Sequence, residues 1–142
     1  MSKALRTLMR LARAEADAVR ARLAEAQDAH VRALSRIALL EAGLIEEQGV
    51  AARSDIARPA YGPYAAARAE DRRVLNADER AFAAQADALR AELVAAHQEM
   101  KKFERLIELE EAREAEAERM REQAELDEIA TMRAGRDRAS RS

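Results

Sequence analysis

From residue 5 to residue 44, apolar side chains recur at alternating spacings of four and three. Met9, Ala16, Leu23, His30, Ile37 and Leu44 occupy heptad position a, and Leu5, Ala12, Val19, Ala26, Ala33 and Leu40 occupy d. His30 is the one polar residue of the twelve. A second seam has Leu75, Phe82, Leu89, Ala96 and Phe103 at d and Glu79, Ala86, Leu93, Met100 and Ile107 at a. A 3.5-residue repeat held this long winds helices into a left-handed coiled coil. Between the seams, residues 54–64 (SDIARPAYGPY) contain both prolines, Gly62 and cap candidates in Ser54 and Asp55. Proline has no amide donor and pushes the preceding residue out of the helical region, so this is the one strong break.

Two seams joined by one break predict an all-α fold: a long two-helix antiparallel coiled-coil hairpin with a protruding C-terminal helix. The whole chain, 1–142, reads as one coiled-coil domain, with arm one at about 2–53, the turn at about 54–64, arm two at about 65–133 and a frayed tail at 134–142. In an antiparallel pair an a layer faces a d layer, so facing residue numbers share a sum of 112, 119 or 126. A sum of 119 centres the turn between Pro59 and Ala60 and sets large against small: Ile37 with Phe82, Ala26 with Leu93, Leu23 with Ala96, Val19 with Met100. It also sets Glu47 against Arg72 and His30 against Leu89. A sum of 112 creates two alanine–alanine layers, and 126 sets Glu47 against Glu79. The expected register is therefore 119, in which the paired part is roughly 70 Å long and arm two overhangs arm one by roughly 20 residues.

Composition sharpens this picture. Of 142 residues, 36 are Ala, 37% are charged and 3% are aromatic, which suits long helices and leaves few large side chains for a globular core. There is no Cys, which excludes thiol catalysis, zinc fingers and a disulfide scaffold. No apolar run reaches the ~18–20 residues that a membrane crossing needs. Arg6, Arg10 and Arg13 interrupt the N-terminal stretch, so it does not read as a secretory signal.

Catalysis has no foothold. There is no Gly-rich phosphate loop and no nucleophile elbow. His30 and His97 are too far apart along the hairpin to share a metal, and the carboxylate pairs Glu46–Glu47 and Glu110–Glu111 sit on solvated helix faces where neither member is desolvated. No catalytic, cofactor or metal residue is expected. The net charge is −2, and the first arm to Arg58 holds ten basic and eight acidic residues, so no basic stripe for nucleic acid emerges. The segment from Glu108 to Met132 has ten acidic residues and three Arg, and the last ten residues have four Arg and one Asp. A helix of that composition is marginal alone, and Met120, Leu126 and Ile129 give it apolar positions for a partner. Tyr61 and Tyr64 at the turn are further contact candidates.

The opening Leu11-Ala12-x-x-Glu15-x-Asp17 with Leu23-x-Glu25, the pair Lys101-Lys102 followed by Leu106 and Leu109, and the closing run from Gln123 to Ala130 (QAELDEIA) resemble, in order and spacing, the FliJ family of the flagellar type III export apparatus. The resemblance implies a coiled-coil stalk like the γ subunit of rotary ATPases, at the centre of a hexameric export ATPase. It implies contacts with the membrane export gate protein and with export chaperones, at the cytoplasmic face of the flagellar basal body, without membrane insertion, nucleic acid or cofactor. By that resemblance, Leu5, Met9, Met120, Leu126, Asp127, Glu128 and Ile129 are candidates to meet the ATPase ring. Leu44, Gln48, Tyr61, Tyr64, Leu75 and Phe82 are candidates to meet the gate. The stalk family of virulence-type secretion systems is similar in the same motifs, and a generic coiled-coil adaptor or chaperone escort is the alternative reading.

Overall fold

A computed structural model describes residues 2–141 and contains two helices, α1 (Lys3–Arg53) and α2 (Arg58–Arg141), with no strand among the described residues. The fold is all-α, as the seams predict. Two compact units form: Glu15–His97, and a terminal unit of Met1–Ala14 with Gln98–Ser142.

The Glu15–His97 unit is an antiparallel helical hairpin. Alanine and long straight side chains give both arms high helix propensity, and burial of the seam provides the packing. Every a and d residue of either seam within the unit is buried or half-buried, from Ala16 to Leu44 and from Leu75 to Ala96. The connection is four residues, Ser54–Ala57, where the sequence suggests eleven. Ser54 closes it from both sides: its Oγ accepts the Ala57 N–H at 3.3 Å, and its carbonyl accepts the Arg58 N–H at 3.1 Å. Arg58 Nε–H donates to the Ala51 carbonyl at 3.3 Å, satisfying an acceptor that the end of α1 leaves open and placing positive charge at that helix C-terminus. Helix α2 then starts ahead of Pro59, which sits in the first turn, where its missing N–H costs nothing. Pro63 lies inside α2 and deprives the Pro59 carbonyl of its intrahelical donor.

The register differs from the expected one. Leu23, Ala26, Ala86 and Leu89 form one buried cluster with Leu93 packed against it, which sets Leu23 level with Leu89 and Ala26 level with Ala86, a sum of 112. In a register of 119, Leu23 and Leu89 would stand seven residues apart, about 10 Å. His30 does not face Leu89; its Nε2–H donates to Glu79 Oε1 at 2.8 Å. Arg72 pairs with Glu41 at 2.6 Å, not with Glu47. The four-residue connection centres the turn near residue 56 and so brings the arms together one heptad away from the Pro59–Ala60 turn. Of the two alanine–alanine layers that argued against this register, Ala26 with Ala86 lies in this cluster, and beside it lies an open groove of ≈ 520 Å³ lined by Ala26, Ala29, Ala88 and Leu89 among others.

In the terminal unit, Ser2 is the N-cap of α1. Its Oγ accepts the Leu5 N–H at 3.3 Å, and its own N–H donates to Glu110 Oε1 at 2.6 Å. The pair acts as a capping box whose carboxylate comes from the other helix, and that carboxylate also complements the positive end of the α1 dipole. Ser2 and Glu110 sum to 112, so Leu5 lies level with Ile107 and Met9 with Phe103, where the expected register placed Glu114 and Glu110. Met9 is only 7% exposed as a result.

Candidate functional site

The terminal unit carries one candidate surface. The seam ends at Ile107 and Glu110, and every residue from 111 to 141 is exposed. This stretch of about 31 residues extends ~46 Å, half again longer than expected, because Ser2 lies level with Glu110 and not with Ala117, a shift of seven residues, and because the tail is helical. It stays helical to Arg141, beyond Gly135 and through the segment read as a frayed tail. Its helicity is supported along its own surface. Glu116 pairs with Arg119, Glu118 pairs with Arg121 at 2.5 Å, and Gln123 Nε2–H donates to Asp127 Oδ1 at 3.0 Å. Acid three residues before base is the favourable order on a helix. Arg138 and Arg141 stand in the last turn, where positive charge opposes the dipole. Met120, Leu126, Ile129 and Met132 are large apolar side chains left in solvent along this helix. Asp127 and Glu128 are exposed with them.

The hairpin unit carries another at its connection. Tyr61 and Tyr64 lie in the first two turns of α2 with ring centroids 6.5 Å apart. Tyr64 reaches across to α1, where a Cβ on Gly43 would meet its hydroxyl at 3.6 Å. The Arg68 guanidinium stacks 5.5 Å from the Tyr64 ring centroid. Both tyrosines line a small pocket of ≈ 170 Å³ with Glu47, Ala51, Ala57 and Ala60. They are half-buried, and Gln48 is exposed. Ile56, in the connection itself, is 93% exposed.

The two sets of sequence candidates therefore divide by burial. Met120, Leu126, Asp127, Glu128 and Ile129 are all exposed along one helix, whereas Met9 is buried and Leu5 half-buried in the seam. Gln48, Tyr61 and Tyr64 lie at the connection end, whereas Leu44, Leu75 and Phe82 are half-buried seam residues. Sequence reasoning missed Ile56, since a lone isoleucine in a turn has no periodicity to reveal its exposure. It also missed Leu8, Leu11, Leu106 and Leu109, all exposed in the terminal unit. These four occupy heptad positions g and c on one flank of the seam, a signal present in the sequence once the a and d positions are assigned.

The electrostatics are those of solvated helices. In the Glu70–Arg73 pair the guanidinium hydrogen-bonded to the carboxylate lowers the Glu70 pKa, and the carboxylate raises that of Arg73. Among the described residues no group of three or more His, Asp or Glu side chains is placed to hold a metal ion, and no helix is long and apolar enough to cross a membrane.

No curated protein and no solved structure matches the chain significantly. A family described as "Flagellar FliJ protein" matches residues 1–139, both seams, the connection and the exposed C-terminal helix included. With the match spanning nearly every residue, the chain belongs to the FliJ family, a non-catalytic component of flagellar protein export.

Proposed function

We propose that this chain is the non-enzymatic central stalk of the flagellar export ATPase, linking a hexameric ATPase ring to the membrane export gate and receiving export chaperones. The observation that carries the reading is the exposed helix 111–141, which holds Met120, Leu126, Ile129 and Met132 in solvent beyond the end of the seam. An exposed helix gains little by keeping such side chains in water, and their burial in the bore of a ring is what stabilises the complex. Asp127 and Glu128 meet basic loops of the ring beside them. Leu5 and Met9 act indirectly in this reading, because they hold α1 against α2 and so fix where the free helix begins. The gate contact is made at the connection of the hairpin unit, by Ile56, Gln48 and the exposed edges of Tyr61 and Tyr64. The stalk works at the cytoplasmic face of the basal body and biases the ring only through contacts that differ among its subunits.

Deletion of residues 122–142 tests the reading. The truncated protein keeps its helical hairpin by circular dichroism, loses stimulation of the purified export ATPase and supports less motility. Full binding and stimulation by the truncated chain would refute insertion of this end.

A further inference from the structure

We propose that the Glu15–His97 hairpin has a second register, one heptad from the one observed, and that the His30–Glu79 hydrogen bond is the latch between them. Four observations meet in this inference. The seam periodicity permits both sums, 112 and 119, because both keep a layers against d layers. Neither register fills every layer: the observed one packs Leu23 on Leu89 but leaves Ala26 on Ala86 and sets Ala16 level with Ala96, and the other sets Leu23 on Ala96 and Ala26 on Leu93 but leaves Ala33 on Ala86. The His30 Nε2–Glu79 Oε1 bond at 2.8 Å exists only in the observed register. In the other register His30 lies level with Leu89 and Glu79 with Leu40, ten residues apart along the arms and so about 15 Å.

The fourth observation is the connection. A change of seven in the sum moves the centre of the turn by half that, between three and four residues. The prolines are four apart, at 59 and 63. In the observed register Pro59 stands in the first turn of α2, and Pro63 is inside the helix, where it removes a hydrogen bond. In the second register the segment 58–62 becomes the connection and Pro63 takes the first-turn position that proline favours. The stretch that must unwind, 58–62, holds Pro59 and Gly62 and runs into Pro63, which makes it the poorest helix former in either arm. Each register thus has its own proline at the helix start, and sliding between them moves the arms past each other by one heptad, about 10 Å.

The chain has no cysteine, so engineered pairs report the register directly. Ala26→Cys with Ala86→Cys joins facing positions of the observed register, and Ala33→Cys with Ala86→Cys joins facing positions of the second. In the observed register the latter pair is about 10 Å out of line, beyond the reach of a disulfide. Under dilute oxidation, with intramolecular products resolved by non-reducing electrophoresis, the first pair closes fast and the second closes at least tenfold more slowly. Glu79→Ala removes the latch and also the carboxylate that would face Leu40, and it speeds closure of the 33/86 pair roughly tenfold, as loss of one hydrogen bond to a charged group allows. Pro63→Ala, which strengthens the helix that must unwind, slows the 33/86 pair severalfold and leaves the 26/86 pair unchanged. If the 33/86 pair fails to close within the molecule both with Glu79 and with Glu79→Ala, while the 26/86 pair closes, the hairpin has a single register and the proposal is wrong. Equal closure of the 33/86 pair with and without Glu79 would remove His30–Glu79 as the latch.

Discussion

Leu89→Ala puts the observed packing to a quantitative test. Leu89 is 7% exposed and packs with Leu23, Ala26, Ala86 and Leu93. Truncation to alanine removes three carbon groups from a site already next to an alanine–alanine layer. At about 0.8 kcal/mol for each buried group, the lost transfer energy is about 2.4 kcal/mol. Leucine-to-alanine changes in closed cores reach about 5 kcal/mol because a cavity remains. Here the groove beside Leu89 is open, so water enters the space and the cost stays at about 2–3 kcal/mol. For a cooperative unit the size of Glu15–His97, that lowers Tm by roughly 10–20 °C. The assay is thermal and urea unfolding followed by circular dichroism, with Leu39→Ala, at a position 73% exposed, as the control expected within about 0.5 kcal/mol of the parent. The double variant with Leu23→Ala adds register information. Side chains in contact couple by about 0.5–3 kcal/mol, whereas residues about 10 Å apart act additively. A Leu89→Ala protein that melts within two or three degrees of the parent, or strict additivity with Leu23→Ala, would refute the packing at a sum of 112.

Two smaller predictions concern the connection and the surface of α2. Ser54→Ala removes the acceptor of the Ala57 N–H and costs about 1 kcal/mol in urea unfolding, whereas Ser54→Asp restores most of it. The Glu70 carboxyl, hydrogen-bonded to Arg73, titrates below the ordinary glutamate value of 4.5 in a carbon-detected NMR titration, and Arg73→Ala returns it to that value. Because the folded-state pKa is the lower one, the pair's contribution to stability is complete above the ordinary value and is lost as pH falls through the lowered one. Unchanged Glu70 titration in Arg73→Ala would show that the pair does not form in solution.

The sequence by itself determined which residues face inward. Each a and d position assigned from the 3.5-residue repeat is buried or half-buried, down to Glu79 and His30, because one side of a helix must be apolar to pack and heptad spacing marks that side unambiguously. It placed the break within residues 54–64 but not its centre: both prolines lie in α2, Pro59 in its first turn and Pro63 inside it, and the connection is Ser54–Ala57. Axial register was not legible. Shifting one arm by a heptad returns an a layer against a d layer, so periodicity cannot distinguish the two sums, and layer volumes favoured the wrong one. What decided it lies in tertiary geometry: Ser54 closing a four-residue connection, Arg58 reaching back to Ala51, Glu79 meeting His30 and Glu110 capping Ser2. Each joins residues by direction and distance between backbones, which neither propensity nor pattern encodes. The candidate surfaces followed the same division. Met120, Leu126 and Ile129 were legible as apolar positions beyond the seam, but the length of exposed helix around them, and the burial of Met9, depended on the register. A one-heptad slip of the arms decides how much of the C-terminal helix α1 covers, and only the packed structure sets that slip.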